Sequence, residues 1–462
     1  MPLYCSTLGA SFPLWVQASQ HNFGKRSENY THNHIKTPSH LGSCFLSLNN
    51  KSPNTLPNHI AVVSKLDQSF SSPVMEEEDH KMFGLVSEPE EYCKELGVAV
   101  RAVQMACFLC QKLQDTLISK SRSNNNLNSP LTVAGWSVKA IVSWILFECL
   151  GNENVSIVTE KEVRTLSSTN ASELLEAVVK TVNECLAEAP RFGVEEPKST
   201  LGTSEVLEII SRCNSVGDPS GRFWALSPLD GGSSCGDQHV VALSLIEEGE
   251  VVLGVLGCPN YPMRKDWFSY HHSYLRMISK LAPPTSQTWN KGCVIYAKRG
   301  SGKAWIQPLL HVNDKFVWPN HAKQVSVSSI DNLEMATFCQ PVEKANLSHS
   351  FAEGLAHSVG FSNQPLRVYN TMKYTAIACG DAEVFIKFAR AGYKEKIWDH
   401  AAGAIIIQET GGMVTDAKGH PLDFSKGLYF ERLDRGIVAC AGATLHEKII
   451  DAVDASWASS CL

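Results

Sequence analysis

Three short segments carry side chains that could do chemistry together. In the first, Val155-Ser-Ile-Val-Thr-Glu160, an apolar run ends in a carboxylate. In the second, an apolar run from Gly221 meets Ser227-Pro228-Leu229-Asp230-Gly231-Gly232 and then two serines. In the third, Lys396-Ile397-Trp398-Asp399-His400-Ala401-Ala402-Gly403, an aspartate precedes a run of small residues. Each has an ordinary reading alone: Asp399 as a helix cap, Asp230-Gly231 as a turn, Glu160 as a solvated loop residue. Together they point further. Carboxylates just past strand ends and at helix starts can converge on one edge of a fold. A hard divalent cation needs such oxygens, and Mg2+ takes one or two carboxylates plus phosphate oxygens and water. Gly231-Gly232 ahead of a helix start would offer phosphate bare N–H groups and the positive end of a helix dipole.

Positioning these segments requires alternating strands and helices. Apolar residues at 3–4 spacing predict a helix from Tyr92 to Ser119. A polar loop (121–129) and a second helix, about Trp136 to Leu150, follow. A short strand at 155–159 and helices at 171–187 and about 203–212 come next. The middle is strand-rich, at 223–226, 240–247, 251–258, 293–298 and 304–309, with Glu248-Gly249 marking a hairpin. Past about 320, strands at 324–327, 366–369, 384–388 and 436–439 alternate with helices at 349–359, 371–379 and 399–410, the pattern of an α/β domain. The expected organisation is an α+β domain at 85–315 carrying the metal motifs, then an α/β domain at 316–462.

The bulk properties fit. The chain has 462 residues, room for two to three domains, with 44% hydrophobic and 19% charged residues, ordinary for a globular protein. Net charge is -6 with no long basic run, which argues against a nucleic-acid polymer as partner. No apolar run reaches the ~18–20 residues of a membrane span, so no membrane partner is expected. Fifteen cysteines, an odd count, read as reduced thiols, and Cys107 and Cys110 as core packing in a helix rather than a metal or redox pair. The first 66 residues hold one acidic residue, Glu28, against five Lys or Arg, and are rich in Ser, Asn, His and Pro. That composition predicts an organellar transit peptide and disordered linker over 1–80, with scarce arginine favouring plastid over mitochondrion. The sequence does not choose between monomer and homodimer.

Over about residues 90–462 the chain resembles the inositol monophosphatase superfamily, and within it the plant organellar 3'(2'),5'-bisphosphate nucleotidases. The resemblance is carried by Gly236-Asp-Gln-His-Val-Val-Ala-Leu, Gly254-Val-Leu-Gly-Cys-Pro-Asn, Lys373-Tyr374 with Gly380-Asp381-Ala-Glu, Trp398-Asp-His-Ala-Ala-Gly and Glu409-Thr-Gly-Gly-Met-Val-Thr-Asp416. It implies a layered α-β-α-β-α sandwich. It also implies a Mg2+-dependent phosphatase that takes the 3'-phosphate from a small phosphorylated nucleotide, adenosine 3',5'-bisphosphate or its sulfated relative. In the family a water attacks phosphorus in line, and two or three Mg2+ ions stabilise the entering and leaving oxygens. On this chain the resemblance gives Glu160, Asp230, Asp399 and the Leu229 backbone carbonyl as metal ligands, with Ser227 where the family has a bridging Asp. Gly135 and Gly232 stand where it has the water-activating Asp and Thr, and Lys161 where a second Glu is usual. Gly231, Gly232, Ser348, His349, Asn370 and Lys373 fall in the phosphate- and substrate-binding region. Lys387 and Lys394 are candidates for a role often taken by Arg. Loss of a general base commonly lowers rates by ~10²–10⁴. Two readings follow: a phosphatase with weak or no turnover, or a catalytically inactive nucleotide-binding or structural paralogue.

Overall fold

The computed structural model describes residues 91–119, 130–160, 166, 171–217, 220–230, 238–262, 291–310, 314–316, 318, 322–340, 347–368, 371–388, 393–431 and 433–460. The expected transit segment, the loops around 121–129 and 263–290, Lys161, Gly231, Gly232 and Asn370 lie outside them. Phe83–Leu462 forms one compact unit.

The helices among the described residues are α1 (Cys93–Ser119), α2 (Pro130–Leu150), α3 (Ser172–Leu186), α4 (Thr203–Ser211), α5 (Leu347–Ser358), α6 (Met372–Ala378), α7 (Ala401–Glu409) and α8 (Ala443–Ser460). The strands of the main sheet, in spatial as well as chain order, are β1 (Ile157–Val158), β2 (Arg222–Asp230), β3 (Val240–Glu247), β4 (Glu250–Pro262), β5 (Lys291–Lys298), β6 (Ala304–Pro308) and β7 (Lys323–Val325). β8 (Cys339–Gln340) and β9 (Leu366–Arg367) pair in parallel. β10 (Val384–Phe388), β11 (Met413–Asp416) and β12 (Gly436–Cys440) form an antiparallel sheet in the order β10-β12-β11.

Strand alternation builds the layers. In β2, Trp224 and Leu226 point into the core beneath α1–α4, while Phe223 and Ala225 point into a second core. β3 does the same, with Val241, Leu243 and Leu245 on one side and Val240, Ala242 and Ile246 on the other. That second core is filled by α6, α7 and one face of the small sheet, through Phe385, Ile437 and Ala439. The other face of the small sheet presents Val384, Ile386, Val438 and Cys440 to α5 and α8. The order is therefore helices, sheet, helices, sheet, helices, which is the expected α-β-α-β-α sandwich of α+β and α/β parts.

Two glycines let helices approach β4 from opposite sides. A Cβ at Gly254 would stand 2.7 Å from the Ala402 Cα in α7. A Cβ at Gly257 would stand 2.5 Å from Val103 Cγ1 in α1. The expected hairpin is present: Glu247 pairs with Glu250, and Glu248 and Gly249 turn with φ of 51° and 79°.

Several expectations shift. α2 begins at Pro130, whose ring suits the first helical turn, rather than near residue 136. The main sheet extends past residue 316, because β7 pairs with β6. By length and composition alone, Cys93–Gln114 and Leu131–Leu150 would pass for membrane spans, contrary to the reading from run length. In the fold 72% of the most apolar stretch of each is buried. Every described cysteine is a free thiol, and Cys107 and Cys110 are buried within α1.

Candidate active site

The site begins where β2 stops pairing regularly. Ser227 is opposite Ala242 and Asp230 opposite Val240, so the strand bulges at Pro228-Leu229. Proline has no N–H for the ladder, and a bulge re-aims the side chains that follow. Asp230 then meets the start of α6. Its Oδ2 accepts from the Thr371 backbone N–H at 2.9 Å and from the Thr371 hydroxyl. Asp399 lies in a single 3-10 turn, Ile397–Asp399, just ahead of α7. Its Oδ1 accepts from the Ser227 hydroxyl at 2.9 Å. Burial and the nearby Asp230 carboxylate push the Asp399 carboxyl up to about 7, although Lys387 and the Ser227 hydrogen bond oppose the shift.

The opposite wall is basic. Lys373 in α6 is buried, with its ammonium 4.8 Å from the centre of the Phe385 ring. Burial, and then the neighbouring Lys387, push it down to about 8. Lys387 on β10 pairs with Glu395 Oε2 at 2.7 Å. Burial alone would raise the Glu395 carboxyl, but hydrogen bonding to His400 and the Lys387 charge outweigh it and hold the group at about 2. Burial lowers His400, so the ring is neutral at pH 7. Its Nε2–H donates to the Glu395 carboxylate at 3.2 Å, which leaves Nδ1 to accept from the Tyr374 hydroxyl at 2.7 Å. The buried Tyr374, His400 and Glu395 thus form a line that ends on the half-buried Lys387 at the cleft wall.

Glu160 follows β1. Its backbone oxygen accepts from Lys139 Nζ at 2.9 Å, and its carboxylate is ion-paired with Lys396. Glu160, Ser227, Leu229, Asp230, Lys373 and Asp399, all expected from sequence, line one cleft of about 200 Å³. Lys387 lines it as well, whereas Lys394 is exposed and paired with Glu431 at 3.0 Å, away from the cleft. Gly135 lies one helical turn before Lys139, and open space faces the position a Cβ would take. Ser348 and His349 belong to α5, and their side chains are outside the described set.

Sequence reading did not assign Thr371, Tyr374, Glu395, Lys396 or His400 to the site. Lys396 and His400 flank Asp399 within the segment already singled out, and that adjacency was the signal available. Glu395 and Thr371 had none, since their roles depend on partners that only the fold supplies.

The donors can be tested against Mg2+. Among the described residues no group of three or more His, Cys, Asp or Glu is arranged to hold a metal. Asp230 and Asp399 are close enough that one raises the other's pKa, and a divalent cation between them would relieve that repulsion. Glu160 is turned to Lys396 instead. By donor chemistry the two aspartates are the groups that would hold a Mg2+. The set does not present a ready cluster for two or three ions.

Comparison with known proteins gives matches over most of the chain. The family model described as "Inositol monophosphatase family" matches residues 127–458. The chain is 53% identical over 373 residues to "3',5'-bisphosphate nucleotidase AHL" of Arabidopsis thaliana, covering 80% of this chain and 98% of that protein. It is 36% identical over 351 residues to a "3'(2'),5'-bisphosphate nucleotidase" of Oryza sativa, covering 75% of this chain and 90% of the relative. Among solved structures, CysQ from Bacteroides thetaiotaomicron, titled as a bacterial member of the inositol monophosphatase family, covers 76% of this chain and 99% of its own, with 15% identity and a TM-score of 0.46. With a family match spanning most of the layered unit and a relative matched along nearly its whole length, the chain belongs to the inositol monophosphatase family.

Proposed function

We propose that this chain binds a 3',5'-bisphosphorylated adenosine nucleotide in the cleft and acts on it as a Mg2+-assisted 3'-phosphatase of low turnover. The observation that carries the reading is the cleft itself, where Lys373, Lys387 and Lys396 stand beside the Asp230–Asp399 pair. Three ammonium groups suit a ligand with several phosphate charges. The nucleotide class comes from the relatives, which are named as bisphosphate nucleotidases.

Asp230 and Asp399 would hold the Mg2+, which when bound supplies charge neutralisation at the phosphate and a more acidic water. The protein does the rest. Thr371 fixes the Asp230 carboxylate through two hydrogen bonds, and Ser227 fixes Asp399 through one. The Tyr374–His400–Glu395 line holds the Lys387 ammonium on the cleft wall. At the position where the family carries its water-activating Asp, Gly135 has no side chain to accept a proton. Missing general-base assistance lowers turnover by ~10²–10⁴.

The test is phosphate release from adenosine 3',5'-bisphosphate with Mg2+, run on the natural chain and on the triple variant Gly135→Asp, Ser227→Asp, Gly232→Thr, with calorimetric binding alongside. Binding by both proteins and a rate at least ~10²-fold higher in the variant are expected. Equal rates would overturn the low-turnover reading, and absence of binding would overturn the ligand class. The acid-poor leader supports a plastid address. A fluorescent fusion of residues 1–80 should enter plastids, and cytosolic or mitochondrial fluorescence would refute that.

A further inference from the structure

One contact in the cleft is not accounted for by the reading above, on which this inference rests. The ammonium of Lys396 is bonded to the Glu160 carboxylate across 236 residues of sequence. Both ends are held by fixed backbone. The Glu160 carbonyl accepts from Lys139, while the Lys396 segment is tied by Phe430 N–H to Glu395 O at 3.0 Å and by Ile397 N–H to Leu428 O at 3.2 Å. The Lys396 stem lies beside Trp398, its ammonium 5.7 Å from the ring centre, and its side chain is 22% exposed. Thus the pair is built into the cleft wall and is not two loose surface groups meeting. Glu160 is half exposed, so an incoming cation can reach it.

We propose that Lys396 is a resident counter-cation: its ammonium balances Glu160 and faces the cleft, so phosphate binds without divalent metal, and Mg2+ competes with Lys396 for Glu160. The physical basis is electrostatic: an ammonium on the Glu160 carboxylate offsets the negative charge that would draw a dication there and repels that dication. Among the described residues, Asp230 and Asp399 are the cleft carboxylates that do not pair with Lys396. Drawing Glu160 in as a further ligand works against the charge of its lysine. A lysine can hold phosphate as a point charge, but it does not generate hydroxide as a metal does. The arrangement therefore favours binding over hydrolysis.

The experiment is isothermal titration of the full chain with adenosine 3',5'-bisphosphate in EDTA, with the same nucleotide in Mg2+, and separately with Mg2+ alone, for the natural protein, Lys396→Met, Lys396→Arg and Glu160→Gln. Metal-free nucleotide affinity should fall at least about fivefold in Lys396→Met and persist in Lys396→Arg. Mg2+ affinity should rise by about the same factor in Lys396→Met, where Glu160 is released. Glu160→Gln should bind metal-free nucleotide at least as tightly as the natural chain. Unchanged nucleotide affinity in Lys396→Met, or weaker Mg2+ binding there, overturns the proposal. Nucleotide binding that appears only with Mg2+ overturns it too, while leaving the ligand class standing. Absence of binding under both conditions defeats both readings.

Discussion

Glu395→Gln is the most informative single change for the support beneath the cleft. The side chain is 3% exposed, and its Oε2 receives both Lys387 and His400. The folded carboxyl sits at about 2 against an ordinary 4.5. By linkage, the charged form contributes about 3 kcal/mol at neutral pH. The sign is that of a depressed carboxylate: the contribution is fully present above about pH 4.5 and is lost as pH falls toward 2. At pH 3 about 1.4 kcal/mol remains. Glutamine keeps the shape and can still accept from His400, but it removes the charge opposite Lys387, which is 28% exposed and so partly solvated. The expected loss at pH 7 is ~2–3 kcal/mol, seen as a fall of ~4–8 °C in Tm. Urea denaturation of both proteins at pH 7, 5 and 3 is the assay. The stability gap should shrink by more than half between pH 7 and pH 3. A gap below ~0.5 kcal/mol at pH 7, or one that does not change with pH, would refute the reasoning.

Gly403→Ala drives a methyl into the Tyr374 ring and should lower stability by ~2–3 kcal/mol, measured by thermal melting. Tyr374→Phe leaves His400 Nδ1 without its donor in a buried site, for a loss of ~1–3 kcal/mol by the same measurement. Gly135→Asp meets open space on α2 and should melt within ~0.5 kcal/mol of the natural protein, a control for the triple variant. Because Lys373 is pushed down to about 8, metal-free nucleotide affinity should weaken between pH 7 and pH 9, as the ammonium deprotonates. Calorimetry should show that slope flattened in Lys373→Met.

How much was legible in the sequence depended on how local the cause was. The β3–β4 hairpin was readable because Glu248-Gly249 sets the turn between two apolar strands. α1 was readable from its 3–4 spacing, though its burial extends beyond one stripe, because the sheet and other helices enclose it. α8 and β11 escaped notice: β11 spans four residues with an exposed Met413, and neither gave a strong period. β2 was expected to stop at Leu226, yet it continues through Pro228 by bulging, which period-2 reasoning does not anticipate. The convergence of Glu160, Asp230 and Asp399 on one cleft was legible from their places at element ends. The partner each carboxylate takes was not. Ser227 is 172 residues from Asp399 and Thr371 is 141 from Asp230, so those pairings are decided by packing of the layers.

Glu395 and Lys396 are consecutive on extended backbone, Lys396 having φ -90° and ψ 135°, so their side chains leave the chain in opposite directions. One reaches Lys387 on the small sheet; the other reaches Glu160 beyond β1 of the large one. One short stretch of extended backbone therefore supplies a contact to each sheet, and its placement sets the position of both walls of the cleft.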